Sequence, residues 1–120
     1  MQFIGTDKSM NLCEIATKLG LSPLAGISDA EVRGAYVSDL LSDVVGNTKP
    51  GCVLVTVQIH RNVVAVAGLV NLCAVIITNG RVPEEDVLAA AREHGVTLLS
   101  TAATSFTVAG RLYELGVRSA

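Results

Sequence analysis

The sequence predicts an α/β fold with three layers, in which helices cover both faces of a mostly parallel sheet of about four or five strands. The runs Cys52–Val57 and Cys73–Thr78 are almost continuously apolar, which is typical of strands that are buried on both faces. Strand patterns alternate with helix patterns in three units of about 22 residues. Such alternation indicates parallel strands joined by crossover helices.

The composition predicts one domain with an aliphatic core. The chain has 120 residues, of which 50% are hydrophobic and 3% aromatic, and it has no Trp. We therefore treat residues 1–120 as a single domain, in which residues 1–9 form a flexible or loosely packed N-terminus. The mean hydropathy of +0.51 predicts an apolar surface patch, which a homodimer would cover.

The first predicted element is a helix over residues 11–20. Its apolar residues recur at helical spacing on one face, and Gly20 supplies a left-handed C-cap. Residues 21–29 are rich in turn-forming residues, so we expect a loop there. A strand is predicted over residues 32–37.

The next unit joins a helix to a buried strand. Ser38 is predicted as the N-cap of a helix that begins near Asp39 and stops at Gly46. The Pro50–Gly51 turn then leads into a strand over residues 52–57.

The remaining units are marked by caps and turns. Residues 61–72 are rich in Val, which favours a strand, but their length and their flanking strands favour a crossover helix. Pro83 is predicted at the first position of the next helix, where Glu84, Glu85 and Asp86 complement the helix dipole. The other predicted elements are strands over 74–78 and 96–100, a turn at Asn79–Gly80, a helix that ends at Gly95 and a helix over 105–115.

Several classes of protein are excluded by composition and pattern. A net charge of −2 without a basic stripe argues against nucleic-acid binding. The three cysteines show neither a zinc pattern nor a disulfide framework, so we interpret them as buried free thiols of a cytoplasmic protein. No signal peptide is recognisable, and the apolar stretch 63–77 is too short to span a bilayer.

The sequence also lacks the common signatures of enzymes. Gly46 and Gly51 have the spacing of P-loop glycines, but Cys52 stands where the phosphate-binding Lys is required. The chain has two histidines, and no nucleophile, base and orienting group can be assembled around them. We therefore predict no catalytic residue, no metal site and no cofactor.

Polar residues follow the predicted strands where the chain leaves the core. The carboxyl ends of parallel strands meet at one edge of the sheet, where ligands usually bind. Helix caps and turns are an alternative explanation for most of these residues. They do not explain Gln58, His60 and Arg61, which follow the predicted strand over residues 52–57. The predicted ligand-binding residues are Ser38, Asp39, Gln58, His60, Arg61, Thr78, Asn79, Gly80 and Thr101.

Arg61 is the predicted ligand-binding residue that most strongly indicates a ligand. It lies at the beginning of a predicted helix, where the dipole disfavours a cation by a few tenths of a kcal/mol to about 1 kcal/mol. A compensating partner is expected, which is either an internal carboxylate such as Asp39 or an anionic ligand. His60 is adjacent and could donate a further hydrogen bond to that ligand.

The chain resembles the DRTGG domain, and in particular its small stand-alone bacterial members. The resemblance covers about residues 10–117 and rests on the order and spacing of the segments NLCEIATKLGL, GAYVSDLLSDVV, VTVQIHRNVVAVA and AVIITNGRVPEEDVLAAAREHGVTLLSTAATSFTVAGRLYELGV. It implies a fold similar to the N-terminal domain of HPr kinase/phosphorylase. It also implies a regulatory role, because such domains accompany nucleotide-sensing CBS pairs in regulated pyrophosphatases and contribute to dimerisation there.

The polar strand ends depart in part from the family pattern. Many relatives have G-D-R after the second strand and T-G-G after the third. This chain has Ile59-His60-Arg61 and Thr78-Asn79-Gly80 at those places. Arg61, Thr78 and Gly80 therefore match the pattern, while His60 replaces an acidic residue.

Three hypotheses about function follow from the residues and the resemblance. The first is a non-catalytic regulatory or ligand-sensing domain, homodimeric, that binds an anionic small molecule such as a nucleotide at the strand ends. The second is a structural, dimerisation or protein-interaction module without a small-molecule ligand. The third is a phosphotransfer enzyme of the HPr kinase type, which the missing P-loop disfavours.

Overall fold

The computed structural model describes residues 10–26 and 28–120. The expectation of a loosely packed N-terminus over residues 1–9 lies outside the described residues. The strands are β1 (Met10–Asn11), β2 (Ser22–Ala25), β3 (Glu31–Val32), β4 (Gly34–Val37), β5 (Cys52–Thr56), β6 (Ala74–Ile77) and β7 (Leu98–Ser100). The helices are α1 (Leu12–Leu19), α2 (Leu41–Asn47), α3 (Asn62–Leu69), α4 (Glu85–His94) and α5 (Ser105–Glu114).

Five strands form the main sheet in the order β2-β7-β6-β5-β4. Strands β4 to β7 are mutually parallel, and β2 lies antiparallel to β7 at one edge. A separate pair of short strands, β1 and β3, is antiparallel. The predicted α/β fold with a mostly parallel sheet is therefore confirmed.

The helices cover both faces of the sheet, so the domain has three layers. Buried residues of α1 and α5 pack against one face, around Val53, Val55 and Ile76. Buried residues of α2, α3 and α4 pack against the other face, around Leu54 and Val75. The three crossover helices between β4 and β7 thus lie in one layer, and α1 and α5 form the second helical layer.

This arrangement of the crossovers matters for ligand binding. A doubly wound sheet binds ligands where successive crossovers switch from one face to the other, because the loops diverge there. Among β4 to β7 the strand order follows the chain order, and α2, α3 and α4 share a face, so no such switch point exists there. Any groove at the strand ends must therefore arise from the loops themselves.

The prediction of a loop over residues 21–29 was wrong in part. Ser22–Ala25 form the edge strand β2, whose register against β7 is irregular between Pro23 and Ala25. Pro23 has no N–H to donate, and such a residue is tolerated on an edge strand because its outer side needs no partner. Gly26 ends the strand with a φ of +64°, and a Cβ there would lie 2.0 Å from the Val96 carbonyl oxygen.

Two predicted helix starts were also wrong. Helix α2 begins at Leu41, and Ser38 makes a local turn in which its hydroxyl accepts from the Leu40 N–H instead of capping the helix. Helix α4 begins at Glu85 with Glu84 as its N-cap residue, so Pro83 lies in the preceding loop. In both cases a turn of the chain intervenes between the strand end and the helix.

The predicted strand over residues 32–37 is divided: Val32 belongs to β3 of the two-stranded sheet, and residues 34–37 form β4 of the main sheet. The other boundaries lie close to the predicted ones. Gly20 and Gly95 adopt the left-handed conformation that ends α1 and α4. Asn79 and Gly80 both have positive φ, as the predicted turn requires. Helix α3 covers residues 62–69, which confirms the crossover helix despite its Val-rich sequence.

The cysteines are free, but they do not share one environment. Cys52 is buried and Cys73 is half-buried, whereas Cys13 is exposed on α1, so the prediction of a buried thiol was wrong for Cys13. Burial raises the pKa of the Cys73 thiol to about 11. Within the described ranges, no helix is both long and apolar enough to cross a membrane.

Candidate functional site

The loop that follows β5 is held in place by one carboxylate from the neighbouring strand end. Asp39 Oδ1 accepts hydrogen bonds from Thr56 Oγ1 at 2.8 Å and from the Val57 N–H at 2.9 Å. The Thr56 hydroxyl in turn accepts from the Gln58 N–H at 3.1 Å. Gln58 Nε2 donates back to the Asp39 carbonyl at 2.9 Å. These four bonds fix the backbone that leads to His60 and Arg61.

The loop that follows β6 is joined to the first loop by Arg81. Its Nη1 donates to the Val57 carbonyl at 2.9 Å. The remaining N–H groups of the guanidinium have no partner among the described residues, so they can bind a ligand.

A groove of about 450 Å³ opens between these two loops and the start of α4. We call it the strand-end groove. Its volume is within the range of small-molecule sites, roughly 300–1,000 Å³. The strand-end groove is lined by residues 58–61, Arg81, Glu84, Asp86 and Val87.

Arg61 lies in this groove without an internal counter-ion. It stands at the N-cap position of α3, and its own side chain makes no cap hydrogen bond. Among the described residues, no carboxylate oxygen lies within 4.0 Å of its guanidinium. The Asp39 carboxylate, the internal partner considered above, is engaged with Thr56 and Val57 instead. Of the two alternatives considered for Arg61, the internal salt bridge is not formed among the described residues, and the cation remains opposed by the helix dipole.

His60 is exposed beside Arg61 and takes part in starting α3. Its Nδ1 accepts from the Asn62 N–H at 3.1 Å. A neutral imidazole that accepts at Nδ1 carries its proton on Nε2. In this tautomer, His60 can donate a hydrogen bond to an anion in the groove.

Two carboxylates, Glu84 and Asp86, lie in the same groove. Glu84 makes no side-chain cap bond at the start of α4, and neither carboxylate has an ion-pair partner among the described residues. Their neighbour Glu85 lies outside the groove lining and pairs with Arg92. In the sequence, the helix dipole explains all three acidic residues, and Arg81 was not among the predicted ligand-binding residues. A cation directly after the Asn79–Gly80 turn was the available signal.

The other predicted ligand residues do not line the groove. The N–H groups of Asn79 and Gly80 donate to the carbonyls of Ala103 and Thr101, so they are not free for a ligand. Thr78 is buried, and its hydroxyl shares a hydrogen bond of 2.8 Å with Ser105. The Thr101 hydroxyl accepts from the Ala103 N–H, and Ser38 bonds locally. These contacts join the loops at the strand ends.

The glycines with P-loop spacing lie at the wrong place for a phosphate loop. A P-loop connects the end of a strand to the start of a helix. Gly46 lies within the last turn of α2, and Gly51 precedes β5 with a φ of +87°. This segment therefore runs from the end of a helix to the start of a strand. It lies at the amino-terminal end of the parallel strands, opposite to the strand-end groove.

The fold and the groove define a class: a small three-layer α/β domain with an open site where its parallel strands end. Residues 24–115 match the family model of the DRTGG domain. The chain therefore belongs to the DRTGG domain family, as the sequence resemblance indicated. No curated protein matches the chain significantly in sequence.

A solved structure has the same fold. It contains the CBS and DRTGG domains of the regulatory region of Clostridium perfringens pyrophosphatase, in complex with the activator diadenosine tetraphosphate. The TM-score is 0.72 at 17% sequence identity, and the match covers 91% of this chain and 48% of that chain. The present chain thus spans about half the length of that solved chain, in which a DRTGG domain is part of a regulatory region.

The Asp39 contacts predict a specific effect of Thr56→Val. This change keeps the shape of a fully buried strand residue but removes the hydroxyl that joins Asp39 to the Gln58 N–H. We expect a loss of about 1–2 kcal/mol in the free energy of unfolding, measured in urea. Amide exchange should become faster at Val57 and Gln58.

Thr17→Val on α1 is the matched control, because Thr17 is exposed and outside the network. We expect a change of no more than about 0.5 kcal/mol for this variant. Equal stability of Thr56→Val and wild type, with unchanged amide exchange, would contradict the role of the Asp39 network.

Proposed function

We propose that the protein is a non-catalytic regulatory domain that senses an anionic small molecule in the strand-end groove. The observation that carries this proposal is Arg61, a cation at the start of α3 that lines a groove and has no carboxylate partner among the described residues. A bound anion would supply the counter-charge that the chain itself does not supply. Of the two partners expected for Arg61, the geometry favours the ligand.

The chemistry of the groove suits a phosphate group. Arg61 offers a planar set of N–H donors, which matches the oxygens of phosphate or carboxylate. Arg81 and His60 add donors from the two loops. A nucleotide is the proposed class of ligand, and the regulatory region of the pyrophosphatase, which was solved with a nucleotide activator, supports that class.

The two other hypotheses remain alternatives to this proposal. Asn79, Gly80, Thr78 and Thr101 are engaged in contacts within the chain, which suits a structural module at those residues. Such a module would leave Arg61 unexplained. A phosphotransfer enzyme would need a phosphate-binding loop. The one segment with P-loop spacing lies at the amino-terminal end of the parallel strands, away from the strand-end groove.

We expect phosphate-bearing ligands to bind through Arg61. In a calorimetric titration with AMP, Arg61→Ala should weaken binding about 10- to 100-fold, because one charge-assisted hydrogen-bonding group is lost. Arg111→Ala on α5 is the matched control, since it removes the same charge from the opposite helical layer. Its affinity should equal that of wild type.

Two outcomes would contradict the proposal. The first is an absence of binding by wild type to every nucleotide and sugar phosphate tested. The second is an equal loss of affinity in Arg61→Ala and Arg111→Ala, which would indicate a diffuse effect of charge. Either outcome would favour the structural module.

We also propose that the chain forms a homodimer through the surface at which the parallel strands end. Exposed apolar side chains lie at this surface. Among them, Leu40 is 65% exposed and Phe106 is 88% exposed. Exposed patches of this kind mark interaction surfaces. A second copy of the chain is the proposed partner.

Light scattering at micromolar concentration should give the mass of a dimer. The double change Leu40→Ser and Phe106→Ser should shift that mass to the monomer. Leu69→Ser is the control, because Leu69 is 70% exposed but lies at the far end of α3. A monomeric wild type, or a dimer that survives the double change, would contradict the proposed interface.

A further inference from the structure

The strand-end groove contains charges of both signs that are kept apart. Arg61 and Arg81 enter it from the two loops, and Glu84 and Asp86 enter it from the start of α4. No N–O pair between these arginines and carboxylates is within 4.0 Å. Elsewhere on α4, Arg92 does pair with Glu85. The groove thus holds opposite charges that have not neutralised each other directly.

The balance of charge restricts what can bind. With His60 neutral, the formal charges of the two arginines and the two carboxylates cancel. A phosphate monoester carries a charge of about −1.5 to −2 at neutral pH, which two arginines can balance. A longer polyphosphate would bring further negative charge towards Glu84 and Asp86 and would be repelled by them.

The exposed carboxylates of Glu84 and Asp86 are available to accept hydrogen bonds from a ligand. An ionised carboxylate only accepts hydrogen bonds, and those of Glu84 and Asp86 have no ion-pair partner among the described residues. Both residues stand at the positive end of the α4 dipole, which offsets part of their charge. This environment favours neutral O–H donors over an ammonium group. Two neighbouring hydroxyl groups match the acceptor pattern of carboxylates, as in the recognition of ribose by acidic residues.

We propose that the strand-end groove binds a ribose phosphate, with the phosphate at Arg61 and Arg81 and the ribose hydroxyls at Glu84 and Asp86. The inference rests on the proposed function and specifies the chemistry of its ligand. The ligand is either a nucleoside monophosphate or a free sugar phosphate, because both carry a phosphate monoester and vicinal hydroxyls. Ile59 adds an apolar surface beside these groups.

The test is a set of calorimetric titrations with defined probes. AMP should bind at least about tenfold more tightly than 2′-deoxyAMP, because the deoxy compound lacks one of the two hydroxyls. Tripolyphosphate and phosphoethanolamine should both bind more weakly than AMP. Ribose 5-phosphate distinguishes the two sources: affinity equal to that of AMP indicates a sugar phosphate, and weaker binding indicates a nucleotide.

Variants locate the effect within the groove. The double change Glu84→Gln and Asp86→Asn should remove the preference for AMP over 2′-deoxyAMP. Glu85→Gln is the matched control, because it neutralises a carboxylate in the same first turn but outside the groove, and it should keep the preference. Arg61→Ala should lower the affinity for AMP and the affinity for 2′-deoxyAMP by the same factor.

The outcomes separate this inference from the proposed function. Equal affinity for AMP and 2′-deoxyAMP, or a preference that survives Glu84→Gln with Asp86→Asn, would overturn the inference, although Arg61-dependent binding would still support an anion site. Tighter binding of tripolyphosphate or phosphoethanolamine than of AMP would also overturn it. If none of the probes binds, the proposed function itself fails.

Discussion

The Asp39 carboxylate is the contact on which the geometry of the site depends. It lies just after β4, and through Thr56 and Val57 it holds the end of the neighbouring strand and the first residue of the next loop. Among the described residues, Asp39 forms no ion pair with Arg61. Asp39 therefore orders the loop that carries Arg61 but does not supply the counter-charge of that cation.

The layer arrangement explains why the groove lies where it does. Since α2, α3 and α4 cover the same face, the loops after β4, β5 and β6 all turn in the same direction. A cleft between diverging loops is thus absent from this part of the sheet. The groove forms instead between the start of α3, the Arg81 loop and the start of α4. Its walls are side chains of these loops and of the first turn of α4, and four of them carry formal charges: Arg61, Arg81, Glu84 and Asp86.

The fold could be predicted largely from the sequence because its signals are local. The aliphatic runs of β5 and β6 and the left-handed glycines Gly20 and Gly95 mark elements without reference to distant residues. Strand β2 was missed because its pairing with β7 is long-range and Pro23 has the local character of a loop. The helix starts predicted at Ser38 and Pro83 were too early because turns can use the same residues as caps.

The site was predicted only in part for a related reason. Gln58, His60 and Arg61 were identified because helix caps and turns do not explain them, and Arg61 also because a cation at a helix start is locally unfavourable. All three line the groove. Glu84 and Asp86 have a sufficient local explanation in the helix dipole, so nothing in the sequence set them apart from Glu85. Their position opposite Arg61 depends on how two loops pack across the sheet.

The central claim is that an anion binds between the β5–α3 loop and the start of α4. Amide chemical shifts of isotope-labelled protein, followed by NMR during titration with AMP, test this claim directly. We expect saturable changes concentrated at residues 58–61 and 81–87, with little change at α5 and the C-terminal residues. Changes concentrated elsewhere, such as around Tyr113, or an absence of saturable changes, would contradict it.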